Sequence, residues 1–342
     1  MNHNVIIIAE AGVNHNGELE IAKKLIAAAA DAGADYVKFQ TYNTDKLVSK
    51  NAKKAEYQKV NFNEGSDTQF EMLKKLQIPE YWYKELVSYC KLLKIKFLST
   101  GFDQDSIDFL DTLNIDFLKI PSGEITNKLY LEHIAKKSKP IIISTGMATL
   151  IEVKEAINVL MLNGISKKCI TILHCNTEYP TPMLDVNLNA MISLKKEFGV
   201  NIGYSDHTIG IEVPIAAVAL GAIVIEKHFT LDKKMPGPDH LASIDPEELK
   251  LMVKSIRNIE KAISGNGIKE PSQSEYKNIT IARKSLHYSC NLIFGDIIEK
   301  KHLIALRPGT GINPMHYENL IGKKLNKDVK KNVLIQLTDF DL

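Results

Sequence analysis

Through residues 1–265, short apolar segments alternate with longer amphipathic stretches, and this alternation restricts the fold more than any other feature. The apolar segments span residues 5–9, 36–39, 96–99, 117–120, 141–144, 171–174, 201–204 and 223–228. The helix-like stretches that follow them span residues 19–32, 80–93, 104–113, 129–137, 151–162, 188–198, 211–220 and 246–263. Eight strand–helix units in about 265 residues match a (β/α)₈ barrel, which typically takes ~250 residues. The sequence therefore predicts an α/β fold, a TIM barrel over residues 1–265.

The composition changes after the last of these stretches. Residues 264–274 are rich in Gly, Ser and Pro, which is typical of a connecting segment. From about residue 285, short strand-like runs alternate with turns. We therefore predict a linker over residues 266–284 and a small β-rich domain over residues 285–342. A segment of about 58 residues is marginally stable alone, so we expect it to dock on another surface.

A long polar loop follows the second predicted strand, over residues 41–69. Loops of this length inside compact domains are uncommon, and many of them are lids or binding loops. We expect this one to border a functional site.

Composition excludes several classes of partner. The net charge of +2 gives no indication of a nucleic-acid surface, and no segment approaches the ~20 apolar residues of a membrane helix. The N-terminal apolar run is too short for a secretory signal, and the four cysteines show no CxxC spacing. We therefore expect a cytoplasmic protein with reduced thiols and with no nucleic-acid or membrane partner.

Every predicted strand ends in polar or ionisable side chains, on the face where this fold carries active sites. His207 and His228 follow the seventh and eighth strands, and neutral imidazoles at neighbouring strand ends can share one divalent cation. Ionisable and hydroxyl side chains follow the first six strands: Glu10, Lys38, Thr100, Lys119, Ser122, Glu124, Ser144, Thr177 and Tyr179. Each alone could be a surface lysine, a helix N-cap or a structural histidine. Together on one rim they predict an active site.

These residue types favour one kind of chemistry. Lys38, Lys119 and the nearby hydroxyls suit a small anion that carries carboxylate and phosphate groups. A divalent ion on the other side of the rim could polarise an aldehyde oxygen. Glu10 would lie between the two and could exchange a proton. Such a site would condense a phosphorylated enol with an aldehyde.

At these residues the chain resembles the sialic acid synthase family, bacterial enzymes that condense phosphoenolpyruvate with an N-acetylmannosamine-type sugar. The motifs that carry the resemblance occur in order over nearly the full length: AEAGVNHNG, VKFQT, KIPSGE, STGMAT, HCNTEYPTP, GYSDHT, EKHFTLD, GPDHLAS and KSL…LRPGTG. The resemblance implies a (β/α)₈ barrel followed by a small antifreeze-like (SAF) domain, in agreement with the strand and helix pattern.

The resemblance also implies roles for single residues. His207 and His228 would bind a Mn²⁺ or Mg²⁺ ion, and Glu10 and Glu124 would act as acid and base, with Lys38 also at the reacting centre. The implied phosphoenolpyruvate contacts are Lys38, Thr100, Lys119, Ser122, Ser144 and Ser205. The implied contacts of the amino sugar are Gln40, Thr177, Tyr179 and Asp239.

Arg307 matches an arginine of the SAF domain that, in the family, contacts the N-acetyl group of the sugar in the barrel of a partner subunit. The resemblance therefore implies a domain-swapped homodimer with shared active sites.

Two positions depart from the family pattern. Gly101 stands where relatives usually carry Pro, and glycine frees a backbone that proline would fix. Thr177 stands where some relatives carry Asn, at a position that faces the sugar, so it bears on which sugar is used.

We therefore predict a metal-dependent sialic acid synthase that converts phosphoenolpyruvate, N-acetylmannosamine and water into N-acetylneuraminate and phosphate. An alternative is an N,N′-diacetyllegionaminate synthase that uses 2,4-diacetamido-2,4,6-trideoxymannose, because the motifs do not separate the two acceptors. A synthase for a phosphorylated sugar would need a further basic cluster, and none occurs near Gln40, Tyr179 or Asp239. A barrel that only binds a sugar is disfavoured, because the full set of ionisable residues is present.

Overall fold

The computed structural model describes residues 5–61 and 68–341. Backbone contacts divide the chain into two compact units, Met1–Ser264 and Gly265–Leu342. In the described parts of the chain, no helix combines the length and the apolar character that crossing a membrane requires.

Within the described residues, the first unit is built around eight parallel strands. They are β1 Ile6–Gly12, β2 Tyr36–Thr41, β3 Lys96–Gly101, β4 Leu118–Ile120, β5 Ile141–Ser144, β6 Ile170–His174, β7 Asn201–Asp206 and β8 Val224–His228. Hydrogen-bonded neighbours follow the order β3-β2-β1-β8-β7-β6-β5-β4, and β3 lies beside β4, so the sheet curves into a near-closed ring. The predicted (β/α)₈ barrel is confirmed.

Helices follow each strand and cover the outside of the ring. They are α1 Leu19–Ala32, α2 Thr44–Leu47, α3 Glu56–Asn61, α4 Gln69–Leu76, α5 Trp82–Leu92, α6 Gln104–Thr112, α7 Lys128–Ala135, α8 Leu150–Leu162, α9 Asn189–Phe198, α10 Glu212–Ala219 and α11 Pro246–Ala262. In α1, Leu25, Ile26 and Ala29 are buried, and the helix ends at Gly33, whose φ of +81° suits glycine. Helix α11 begins with a capping box between Asp245 and Glu248.

Alternation along β8 decides which side chains face the middle of the barrel. Glu226 and His228 point to one side of the strand and Lys227 to the other. Lys227 is fully buried, with its Nζ 2.6 Å from Asp206 Oδ2, and it also donates to the Thr208 carbonyl. This buried ion pair fixes the segment between β7 and α10.

The segment predicted as a long loop over residues 41–69 is partly helical. It contains α2, α3 and the start of α4, and residues 62–67 of the predicted loop lie outside the described residues. Met72 and Leu76 of α4 pack with Val13 and Tyr42 in a small apolar cluster that is separate from the barrel core. The expectation that this segment borders a functional site stays a prediction.

The second unit has a small core of its own. It contains α12 Gln273–Ala282, β9 Ser285–Tyr288 and β10 Leu303–Leu306, and the two strands are antiparallel. Residues of its core include Leu286, Tyr288, Leu325 and Ile335. Its assignment as an SAF domain stays a prediction.

The domain bounds stay a prediction, and the predicted linker contains a helix that the sequence interpretation did not include. Helix α12 occupies much of the predicted linker over residues 266–284, because Ser272 and Glu275 form a capping box that starts it. The strand-like run at 332–335 makes only one bridge, between Leu334 and His287.

Candidate active site

A cavity of about 730 Å³ opens at the carboxyl ends of the barrel strands. Every predicted site residue of the first unit lines it: Glu10, Lys38, Gln40, Thr100, Lys119, Ser122, Glu124, Ser144, Thr177, Tyr179, Ser205, His207, His228 and Asp239. Arg307 belongs to the second unit, where its Nε donates to the Ala282 carbonyl over 3.0 Å. Its role in a partner subunit stays a prediction.

Lys38 is held by two carboxylates. The register of β1 and β2 places Glu10 beside Lys38, and the Lys38 Nζ lies 2.9 Å from Glu10 Oε2 and 3.5 Å from Glu226 Oε2. It also donates to Thr100 Oγ1 over 2.9 Å. Burial alone would lower the pKa of Lys38, but the two carboxylates outweigh it and raise that pKa. Lys38 is therefore a fixed cation in the cavity wall.

Lys119 is a second buried amine, and less negative charge lies near it than near Lys38. Its Nζ donates to Ser144 Oγ over 2.6 Å and lies 3.7 Å from Glu226 Oε1. Burial lowers the pKa of Lys119, because the more distant carboxylate offsets the loss of hydration only in part. A bound anion would supply the missing negative charge, so this part of the cavity is suited to an anionic ligand.

Glu226 connects the two lysines, and the sequence interpretation missed it. Its Oε1 also accepts a hydrogen bond from Ser205 Oγ over 3.1 Å. Burial would raise the pKa of Glu226, but Lys119 and Lys38 reverse that effect and lower it, so the group is ionised. The signal was available, because Glu226 stands two residues before His228 in one strand and shares its face.

Glu10 is poised to carry a proton at neutral pH. Burial raises its pKa to about 7, although Lys38 opposes that change. Gln40 Nε2 donates to Glu10 Oε1 over 3.4 Å. A Cβ atom added at Gly12 would lie 3.4 Å from the side chains of Gln40, Glu10 and His228, so these three converge on one end of the cavity.

The two histidines meet at that end. The ring centroids of His207 and His228 are 5.3 Å apart. Burial lowers the pKa of His207 to about 4 and that of His228 well below its usual value, so both rings are neutral. His228 Nδ1 makes no hydrogen bond within the described residues, whereas His207 Nε2 lies 3.0 Å from the Tyr179 hydroxyl.

This donor set fits a divalent cation with a largely open coordination sphere. Neutral imidazoles bind such metals, and a buried ring nitrogen without a hydrogen bond offers its lone pair. In the described ranges, no group of three or more His, Cys, Asp and Glu side chains could hold a metal ion. Water or substrate oxygens would therefore supply the other ligands.

Asp239 also lines the cavity, and burial raises the pKa of its carboxyl group to about 7.

Close packing of two loops shapes the wall around Ser122. Its Oγ accepts from the Gly146 amide over 3.0 Å and lies 3.3 Å from Cys175 Sγ. A Cβ atom at Gly146 would fall 2.5 Å from Thr177 Cγ2, so glycine is needed for this approach. Glu124 follows in the same loop, and burial raises its pKa.

Gly101, which departs from the family pattern, ends β3 and faces α6. A Cβ atom at Gly101 would lie 3.2 Å from the backbone nitrogen of Ile107. The Gly101 carbonyl accepts a hydrogen bond from the Tyr130 hydroxyl over 2.5 Å. The neighbouring Thr100 keeps its hydrogen bond to Lys38. The glycine therefore leaves the contact between Thr100 and Lys38 intact.

Comparison with known proteins agrees with this geometry. Residues 25–269 match the model of the NeuB family. The chain is 53% identical to the N,N′-diacetyllegionaminic acid synthase of Campylobacter jejuni subsp. jejuni, over 97% of this chain and 98% of that protein. It is 52% identical to the Legionella pneumophila protein of the same name, over 94% and 91%. The crystal structure of the N-acetylneuraminic acid (sialic acid) synthetase of Leptospira borgpetersenii in complex with citrate shares 34% identity and a TM-score of 0.71, over 81% of this chain and 91% of that one.

The chain belongs to the NeuB family, and the resemblance seen in its motifs is confirmed. It is an enzyme, a phosphoenolpyruvate-dependent transferase that forms a carbon–carbon bond.

We expect kcat/KM to fall as the pH rises through about 7, because burial places the pKa of Glu10 there and only its protonated form can donate a proton. Glu10→Gln should lower kcat by about 10²–10⁴-fold and remove this dependence. The measurement is the pH profile of phosphate release by wild type and variant.

Asp239→Asn is the matched control, because burial also raises the pKa of Asp239 to about 7. It should retain the loss of rate above pH 7. If that dependence survived in Glu10→Gln and vanished in Asp239→Asn, the titrating group would be Asp239 and not Glu10.

Proposed function

We propose that this enzyme converts phosphoenolpyruvate, 2,4-diacetamido-2,4,6-trideoxymannose and water into N,N′-diacetyllegionaminate and phosphate. From the motifs we predict N-acetylmannosamine as the acceptor, with the diacetamido-trideoxy sugar as the alternative. The relatives favour the diacetamido-trideoxy sugar. The observation that carries the proposal is that two relatives named for legionaminate synthesis are each more than half identical to the chain over more than nine-tenths of its length.

Phosphoenolpyruvate would lie against the two buried lysines. Lys38 and Lys119 supply fixed positive charge, and their hydrogen bonds to Thr100 and Ser144 orient the ammonium groups before the ligand arrives. Charges that are already oriented in a water-poor site stabilise a developing phosphate anion more strongly than water does. The proposed contacts are Lys38, Thr100, Lys119, Ser122, Ser144 and Ser205.

The reaction forms a carbon–carbon bond and, from water, a carbon–oxygen bond, and it breaks the carbon–oxygen bond to phosphate. C3 of phosphoenolpyruvate attacks the aldehyde carbon of the open-chain sugar, and positive charge develops on C2. Glu10 donates a proton to the aldehyde oxygen. Water adds to C2 and loses a proton to Glu124. The tetrahedral centre then expels phosphate by cleavage of the bond between C2 and the bridging oxygen, and the C2 hydroxyl gives its proton to the departing phosphate and becomes the keto group.

His207 and His228 would hold the divalent cation, either Mn²⁺ or Mg²⁺. When bound, such an ion acts as a Lewis acid toward a carbonyl oxygen. The neutral rings and the hydrogen-bond-free Nδ1 of His228 support this assignment. The side chains proposed to hold the sugar at the same end are Gln40, Thr177, Tyr179 and Asp239.

We expect the trideoxy sugar to be turned over with a kcat/KM at least about tenfold above that of N-acetylmannosamine, because a fixed pocket discriminates about 10–200-fold for each methylene-sized difference. The measurement is phosphate release with phosphoenolpyruvate, Mn²⁺ and each sugar in parallel. A preference for N-acetylmannosamine would contradict the proposed acceptor. Silence with both sugars in folded, metal-loaded protein would favour a barrel that only binds a sugar.

We expect exhaustive chelation, or the variant His228→Ala, to lower the rate by at least about 100-fold, since a Lewis acid at the carbonyl contributes several kcal/mol. Mn²⁺ should restore the chelated wild type, and calorimetry should show weaker Mn²⁺ binding to the variant. His174→Ala is the control, because this half-buried ring bonds to the Val186 carbonyl and does not line the cavity. Full activity of chelated enzyme would exclude the metal role.

A further inference from the structure

The cavity has an apolar wall that the proposed chemistry leaves unused. This apolar wall consists of Val13, Leu47, Met72, Leu73, Leu76 and Phe102, and each of these residues lines the cavity. They belong to the small cluster beneath α4 and not to the barrel core. An anion such as phosphoenolpyruvate gains nothing from such a surface, so another ligand group accounts for it better.

The apolar wall is a packed surface. The Tyr42 hydroxyl donates to the Leu73 carbonyl over 3.1 Å, and the Tyr42 ring meets Phe102 edge to face with centroids 6.1 Å apart. The Gln77 side-chain oxygen accepts from the Thr44 backbone amide over 3.1 Å and from the Thr44 hydroxyl over 2.8 Å. These contacts join the start of α2 to the end of α4, and they hold the wall in one arrangement.

Val13 connects the apolar wall to the proposed sugar end of the cavity. Val13 directly follows Gly12, the residue around which Gln40, Glu10 and His228 converge. Val13 is itself buried within the cluster. The wall therefore adjoins the residues proposed to hold and protonate the acceptor.

The two candidate acceptors differ in the groups that an apolar surface can distinguish. Relative to N-acetylmannosamine, the trideoxy sugar carries a methyl group in place of the hydroxymethyl at C6 and an acetamido group in place of the hydroxyl at C4. It therefore presents two additional methyl groups and fewer hydroxyls. Methyl groups gain from leaving water for such a surface, whereas a hydroxyl buried there loses its hydrogen bonds.

We infer that the apolar wall determines acceptor specificity, with Val13, Met72 and Leu73 packing against the methyl groups that distinguish the diacetamido-trideoxy sugar. This inference rests on the proposed function, and it names the surface that selects the substrate. It assigns α4 a task in recognition that is separate from the anion site and the histidine pair.

The test is kcat/KM for both sugars in Met72→Ala and, because Met72 is buried, in Leu73→Ala, whose side chain is only partly buried. Each variant should lower kcat/KM for the trideoxy sugar about tenfold and that for N-acetylmannosamine less than about threefold. The KM for phosphoenolpyruvate should stay at the wild-type value. Equal losses with both sugars, or no loss with either, would overturn the inference.

Met252→Ala is the matched control, since Met252 is fully buried in α11 and lies outside the cavity lining. This variant should lower thermal stability and leave the ratio of kcat/KM for the two sugars unchanged. The two proposals can fail separately. A wild type that prefers N-acetylmannosamine refutes the proposed acceptor. If Met72→Ala and Leu73→Ala both leave the ratio of kcat/KM for the two sugars unchanged, the role of the wall is refuted, whichever sugar the wild type prefers.

Discussion

Two lysines and two glutamates buried at the mouth of the barrel impose the strictest condition on this structure. Removing an isolated ion from water costs several kcal/mol, so each of these groups must find a partner. Lys38, Glu10, Lys119 and Glu226 come from four different strands, and these side chains meet only if those strands keep their register. The strand register of the barrel is therefore required for the buried lysines and glutamates to contact one another.

The same network explains why the cavity has two different ends. Lys119 remains under-compensated, which suits an anion beside it, while burial leaves Glu10 able to keep a proton near pH 7. The neutral ring of His228 converges with Glu10 and Gln40 beside Gly12, and Val13 of the apolar wall follows that glycine. One cavity therefore combines fixed charge, a proton donor and an apolar surface.

Much of this arrangement could be predicted from the sequence. Parallel strands in a barrel end on one face, so residues distant in sequence such as Lys38 and His228 can be assigned to one site from strand positions alone. The contacts of Glu226 could not be predicted from its motif alone, because its partners Lys38 and Lys119 lie on distant strands. Helix α12 was missed because a Gly- and Pro-containing stretch precedes a capping box. The apolar wall could not be predicted, since it depends on how α4 folds back over the barrel, and hydrophobic periodicity does not reveal that packing.

The central claim is that water adds to C2 of phosphoenolpyruvate and that phosphate then leaves from C2 by carbon–oxygen cleavage. Phosphoenolpyruvate labelled with ¹⁸O at the bridging oxygen tests it most directly, with mass spectrometry of both products. We expect the label in the released phosphate. Label retained in the keto group of the sugar acid would show phosphorus–oxygen cleavage and would contradict this mechanism.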